Sequence, residues 1–364
     1  LKVLFPVTPL PAFAPDMAPA QPHARRWRIR ASAWSIATMA TVGCALPLTL
    51  GLVSGHNGFL WAALGAFQAS LANPLHRFGM LRMLLITALG AFSAGVGYWS
   101  GTQPLASLVV FAAMGLLLAT LQRYGNEAGK LGLALAVCLC LGQGSYGEGD
   151  LHSSAAVSAL FILGGLWTTL LAFILRGLHA LPTWPALPRL LAVLKVLRNH
   201  ARQAPQQQWT LHALACMLAL GVAGWLNDVL QLGHGYWLSL TVVITLQLNV
   251  VPSLKRVLQT VIVVLIASAL LTAVGHSLLT PPMLSACLLP VLFLNRALQA
   301  NHYLLFSLQT TLCCLLLRES LALDWSEPQS RLLNVLLGSL LMLLVALLVH
   351  LAKRLLTRRN KAVA

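Results

Sequence analysis

Apolar positions along the chain fall into separate, continuous runs of about 15 to 24 residues, close to the ~20 that a helix needs to cross ~30 Å of hydrocarbon. The runs are rich in Leu, Ala and Gly and lack the alternating pattern of ten-residue membrane strands, so the pattern predicts helices and argues against a barrel. It places helices at 31–53, 58–72, 81–99, 104–121, 130–146 and 153–175, and six more at 209–230, 236–251, 257–279, 282–294, 302–317 and 332–351. The expectation is an all-α, polytopic membrane protein with about 12 transmembrane helices, built as two parallel six-helix repeats.

Repetition supports the division. Trp34 and Trp209 lie 175 residues apart, and Trp61 and Trp237, like Asn73 and Asn249, lie 176 apart. In each half a Gly-His pair (Gly55-His56, Gly233-His234) precedes a short aromatic-led helix that runs into Asn and Pro and then into basic residues. An even number of helices per unit starts both units on the same face, which makes the repeat parallel. The predicted domains are a cytoplasmic tail (1–30), a first membrane repeat (31–176), a cytoplasmic linker (177–208), a second repeat (209–354) and a basic tail (355–364). Arg189, Lys195, Arg198 and Arg202 lie on one side of a Leu-rich linker helix, which suits either the anionic leaflet or plain solvation.

Composition agrees with a lipid environment: 58% of residues are hydrophobic and 9% charged, with a mean hydropathy of +0.79. The net charge of +16 would point to nucleic acid in a soluble protein. Here the basic residues sit at membrane borders, and nucleic acid is not an expected partner. With the termini inside, 22 of the 24 Lys and Arg fall in cytoplasmic loops and only Arg318 and Arg331 outside, together with Glu148, Asp150, Asp228, Glu319, Asp324 and Glu327. A wrong helix count would scramble that segregation, although the tenth and eleventh segments could form a re-entrant pair without changing its parity. The expectation is therefore a multi-pass membrane protein with both termini cytoplasmic.

All seven cysteines lie inside apolar runs, where Cys acts as a small packing residue. The Pro-rich stretch 5–22 lacks the apolar core of a signal peptide and reads as a cytosolic tail. Its start at Leu1 fits an unusual start codon or trimming equally. Residues 125–130 read G-N-E-A-G-K, not a Walker A loop. No zinc-helix motif, nucleophile elbow or carboxylate pair within one apolar segment occurs, so no enzyme, metal or cofactor is implied.

The two short second helices, in matching positions, are the sequence's pointer to a transport site. The first offers Trp61, Gln68 and Asn73; the second offers Tyr236, Trp237, Thr241, Thr245, Gln247 and Asn249. Arg77, Arg82, Lys255 and Arg256 at the inner ends of the following helices would make a positive vestibule that draws anions. The plain alternatives are an interfacial aromatic belt, helix-to-helix hydrogen bonds and topology signals. Substrate-binding candidates are thus Trp61, Gln68, Asn73, Arg82, Tyr236, Trp237, Thr241, Gln247, Asn249 and Arg256, with His212, His302 and Arg296 as further candidates.

The run from Gly235 through Tyr236, Trp237 and Thr241 to Val243, followed by Gln247, Lys255 and Arg256, resembles the second-half signature of the fusaric acid resistance (FUSC-like) and aromatic acid exporter family. Arg331, Asn334 and Gly338 resemble its last-helix pattern, with Asn in place of an acid, and the stretch from Trp61 through Arg82 to Gly90 is a weaker first-half match. Thr260 and Val263-Val264 stand where the family has a second Arg and Gly-Thr, and about thirty linker residues replace the large cytosolic domain of many members. The resemblance implies export of aromatic or other amphipathic organic acids from the bacterial cytoplasm, often with a periplasmic adaptor and an outer-membrane channel. Distantly similar plant proteins are anion channels, so a passive anion pathway is the main alternative and a membrane scaffold for a biosynthetic complex a third. Assembly as a homo-oligomer is left open.

Overall fold

A computed structural model describes residues 31–56, 58–75, 79–144, 151, 153–179, 206–230, 232, 235–246, a few positions between 262 and 269, 281–297 and 328–363. These residues form helices α1 (Ala31–Ser54), α2 (Phe59–Ala69), α3 (Gly79–Ser100), α4 (Pro104–Arg123) and α5 (Asn126–Gly144). They continue with α6 (Ser154–His179), α7 (Gln206–Val229), α8 (Tyr236–Thr245), α9 (Pro281–Ala297) and α10 (Pro328–Val363). The predicted segments 257–279 and 302–317 lie outside the described helices.

Six of these helices are long and apolar enough to cross a membrane: α1, α3, α4, α6, α7 and α10. Their outward faces carry large apolar side chains that a water-soluble protein would bury, such as Phe92, Leu105, Val109, Phe173 and Leu348. In lipid those faces are solvated by acyl chains, and the bundle is held by close packing rather than by expulsion of water.

Helices α2 and α8 differ from the rest. With 11 and 10 residues they span about 15 to 17 Å, roughly half the hydrocarbon thickness. Each starts at a glycine in helical conformation, and each opens with the same tight first turn: Gly58 O accepts from Trp61 N and Gly235 O from Leu238 N, both at 3.0 Å. Nine of the eleven α2 residues and nine of the ten α8 residues are buried. The predicted ranges 58–72 and 236–251 were longer. Helix α2 stops at Ala69 because its last turn tightens, with Leu71 N bonding Gln68 O and Ala72 N bonding Ala69 O. Helix α8 stops where Leu246 turns extended.

Small residues let backbone come close around these two helices. A Cβ on Gly65 would lie 2.1 Å from the Phe161 carbonyl oxygen, and one on Gly164 would lie 1.7 Å from that of Ala62, so α2 and α6 are in backbone contact on both sides of the crossing. Gly338 plays the same part for α10, lying against the Leu238 carbonyl and Thr241 of α8. Helix α1 packs on α2, α6 and α9, while α4 packs on α7 and α5, and α8 packs on α5, α7 and α10.

Candidate functional site

The largest buried cluster joins both short helices. It holds Trp61 and Phe67 of α2, Tyr236, Trp237 and Leu240 of α8, Leu288 and Leu292 of α9, and Val335 of α10, with Cys44, Tyr98 and Phe161 behind them. The Tyr236 and Trp237 rings lie 5.4 Å apart at 38°. The structure thus brings together the aromatic candidates of the two halves, more than 170 positions apart in sequence, in one core.

The residue that gives this core its chemistry is Arg296, in the last turn of α9. Only 2% exposed, its guanidinium stands 4.9 Å from the centre of the Phe67 ring and donates from Nη2 to the Phe67 carbonyl at 3.4 Å. The last carbonyls of α2 at Ala66, Gln68 and Ala69 accept from the N–H groups of Ser70, Leu71 and Ala72, whereas Phe67 O accepts from Ser70 Oγ at 2.7 Å as well as from Arg296. Two helix C-termini, each the negative end of a dipole, therefore converge on one cation. Asn295 beside it and Asn334 of α10 are also fully buried.

Several polar atoms in the same helices are buried without a hydrogen-bond partner among the described residues: Gln68 Oε1, Trp237 Nε1, Ser239 Oγ and Ser339 Oγ. Leaving such an atom unmet in a dry interior costs about 1 to 3 kcal/mol, so they are groups that a polar ligand would satisfy. A buried guanidinium beside an aromatic ring is a pairing that can hold a flat ring bearing an anionic head.

The other sequence candidates are placed as follows. Thr241 Oγ1 donates to Trp237 O at 2.7 Å and Thr245 Oγ1 to Thr241 O at 2.8 Å, so both hydroxyls are engaged on their own helix. Asn73 is solvent-exposed and its Oδ1 accepts from Leu75 N at 2.9 Å, closing the turn after α2. Arg82 is half-buried in the second turn of α3. His212 is buried on α7, 2.6 Å from Gln122 Oε1 of α4, and works as a polar tie between those helices. Gln247, Asn249, Arg256 and His302 lie outside the described residues. Among the described residues, no group of three or more His, Cys, Asp or Glu is placed to hold a metal ion.

Residues 218–345 match the family model described as fusaric acid resistance protein-like. This stretch of the chain is FUSC-like. It runs from the middle of α7 to the middle of α10 and so carries Tyr236, Trp237, Arg296, Asn334 and Gly338, while Trp61, Phe67 and Gln68 come from outside it. A FUSC-like segment in a multi-pass helical protein suggests membrane transport or efflux. Searches of the curated proteins and of the solved structures each found no match.

Proposed function

We propose that this protein is a secondary transporter that exports aromatic or other amphipathic organic acids across the bacterial inner membrane. The observation that carries the reading is Arg296: a guanidinium buried against the Phe67 ring at the end of the half-length helix α2. A cation inside a membrane bundle is costly and marks a substrate or ion pathway. A guanidinium stays charged at any physiological pH and binds a carboxylate through two parallel hydrogen bonds, with Trp61, Tyr236 and Trp237 as ring contacts. Half-length helices in matched positions are where secondary transporters build such sites.

Duplication fits this reading. Helices of the two halves begin at 31 and 206, at 59 and 236, at 104 and 281, and at 154 and 328. The packing is reciprocal: α1 lies on α9, and α4 lies on α7. Each is the first helix of one half against the fourth of the other, as an axis along the membrane normal would produce. With about twelve crossings and cytoplasmic termini, the site would open alternately to either side, and a periplasmic adaptor with an outer-membrane channel would take the exported acid onward.

The test is flux in proteoliposomes. Accumulation of a labelled aromatic acid against its own gradient supports the exporter. Single-channel anion currents without accumulation make the pathway a channel, and no flux of either kind leaves a scaffold.

A further inference from the structure

A second polar centre lies away from Arg296, where α3, α5 and α7 end and α4 begins. Gln143, 3% exposed, extends Nε2 to three oxygens: Ser107 Oγ at 3.0 Å, Gly224 O at 3.0 Å and Asp228 Oδ1 at 2.9 Å. Asn227 Nδ2 also reaches Asp228 Oδ1, at 3.5 Å, and Ser107 Oγ in turn reaches Ser100 O at 3.0 Å. Two acceptors in this group, Asp228 Oδ2 and Gln143 Oε1, are buried with no hydrogen-bond partner among the described residues.

A primary amide has two hydrogens, so three oxygens around Nε2 are one too many, and two further acceptors are left over. Among the described residues the centre is short of hydrogen. A metal cation would meet the same shortage, but the position among the three oxygens is taken by the amide N–H group, which repels a cation. A proton on Asp228 needs no such space: it turns an acceptor into a donor and removes the charge. The centre also borders the transport core. A Cβ on Gly144, next to Gln143, would lie 2.5 Å from the Tyr236 side chain, and one on Gly235 would lie 1.5 Å from Asn227 Oδ1. The first residues of α8, which carry the aromatic pair, therefore rest directly on the residues that hold Asp228.

We propose that Asp228, held by Gln143, Asn227 and Ser107, is the site that binds the coupling proton, exchanged for the exported acid. This rests on the transport reading above. In the proposed orientation the proton comes from the outer side, forms an O–H bond at Asp228 Oδ2 and leaves to the inner side as the cycle completes, so nothing but a proton is taken up or given back. The other described titratable groups on the surrounding helices are far from Asp228 or engaged. Arg123, Lys130 and His212 are at the opposite ends of α4, α5 and α7. Tyr98 of α3 donates its hydroxyl to Leu151 O, and Tyr236 packs on Gly144.

The experiment uses the full-length protein in liposomes with a labelled aromatic carboxylate and two readouts: exchange of labelled for unlabelled acid at equal pH, and accumulation driven by a pH gradient with an internal pH dye following the proton. The parent should do both. Asp228→Asn, nearly the same shape, should keep exchange and lose gradient-driven accumulation and its dye response by at least about tenfold, and Asp228→Glu should retain part of both. Asp228→Asn that accumulates like the parent overturns the proposal, as does a sodium gradient that drives the parent where a pH gradient does not. A parent that moves no acid in either format overturns the transport reading itself.

Discussion

Arg296 and Phe67 face each other where two helices end: the guanidinium is 4.9 Å from the ring centre and 3.4 Å from the same residue's carbonyl oxygen. Arg296 therefore both caps a half-length helix and places positive charge in an aromatic core. The two roles predict different results for different variants. Arg296→Lys keeps the charge without the fork and should retain partial transport, whereas Arg296→Ala should lose most of it. Loss of the ring contact alone accounts for about 0.5 to 2 kcal/mol, so thermal stability in detergent should fall modestly in Arg296→Ala while transport falls steeply. Equal, small losses in both would mean that the residue is only a cap.

Trp237 separates ring from hydrogen bond. Its Nε1 has no partner among the described residues, so Trp237→Phe loses no hydrogen bond there and should lower stability only by the packing that the smaller ring gives up. Trp237→Ala should raise the apparent substrate constant more for aromatic than for aliphatic acids, by several-fold, since an aromatic pair contributes about 0.5 to 1.5 kcal/mol beyond area. Transport kinetics with a matched pair of acids check this.

The crossing of α2 and α6 predicts a stability effect with no chemistry in it. Gly164→Ala puts a Cβ where backbone already stands, 1.7 Å from the Ala62 carbonyl oxygen, and α2 must move. A cost of about 1 to 3 kcal/mol is expected for such overpacking, seen as a lower melting temperature by fluorescence-detected gel filtration. Gly177→Ala, which would meet nothing within 4 Å, is the control and should melt like the parent.

Topology is open to labelling. In a cysteine-free background, single cysteines at Asn57, Gly149 and Asp324 should react with an impermeant reagent from the periplasm, and those at Gly125, Arg198 and Arg359 should not. One clear reversal among the basic loops would break the twelve-helix arrangement.

The helices were readable in the sequence because membrane spans announce themselves by length and apolarity, and α2 and α8 stood out by being short. Their aromatic residues were readable as candidates for the same reason. Arg296 was readable only as one further candidate, because a basic residue at a helix end reads as a border signal, and only the meeting of α2 with α9 in space turns it into a buried charge. Asn73 looked like a site residue and closes a turn, since an Asn before Pro bonds its own backbone equally well. Asp228 read only as one of the acids on the outer side; Gln143, 85 residues earlier, and Ser107, 36 before that, hold it only in the folded bundle.

The most direct measurement compares uptake of a labelled aromatic carboxylate with that of its uncharged amide, in liposomes holding either the parent or Arg296→Ala at matched abundance. The account predicts that the parent accumulates the acid and not the amide, and that Arg296→Ala accumulates neither. Equal handling of acid and amide by the parent, or acid accumulation by Arg296→Ala at the parent's rate, would contradict it.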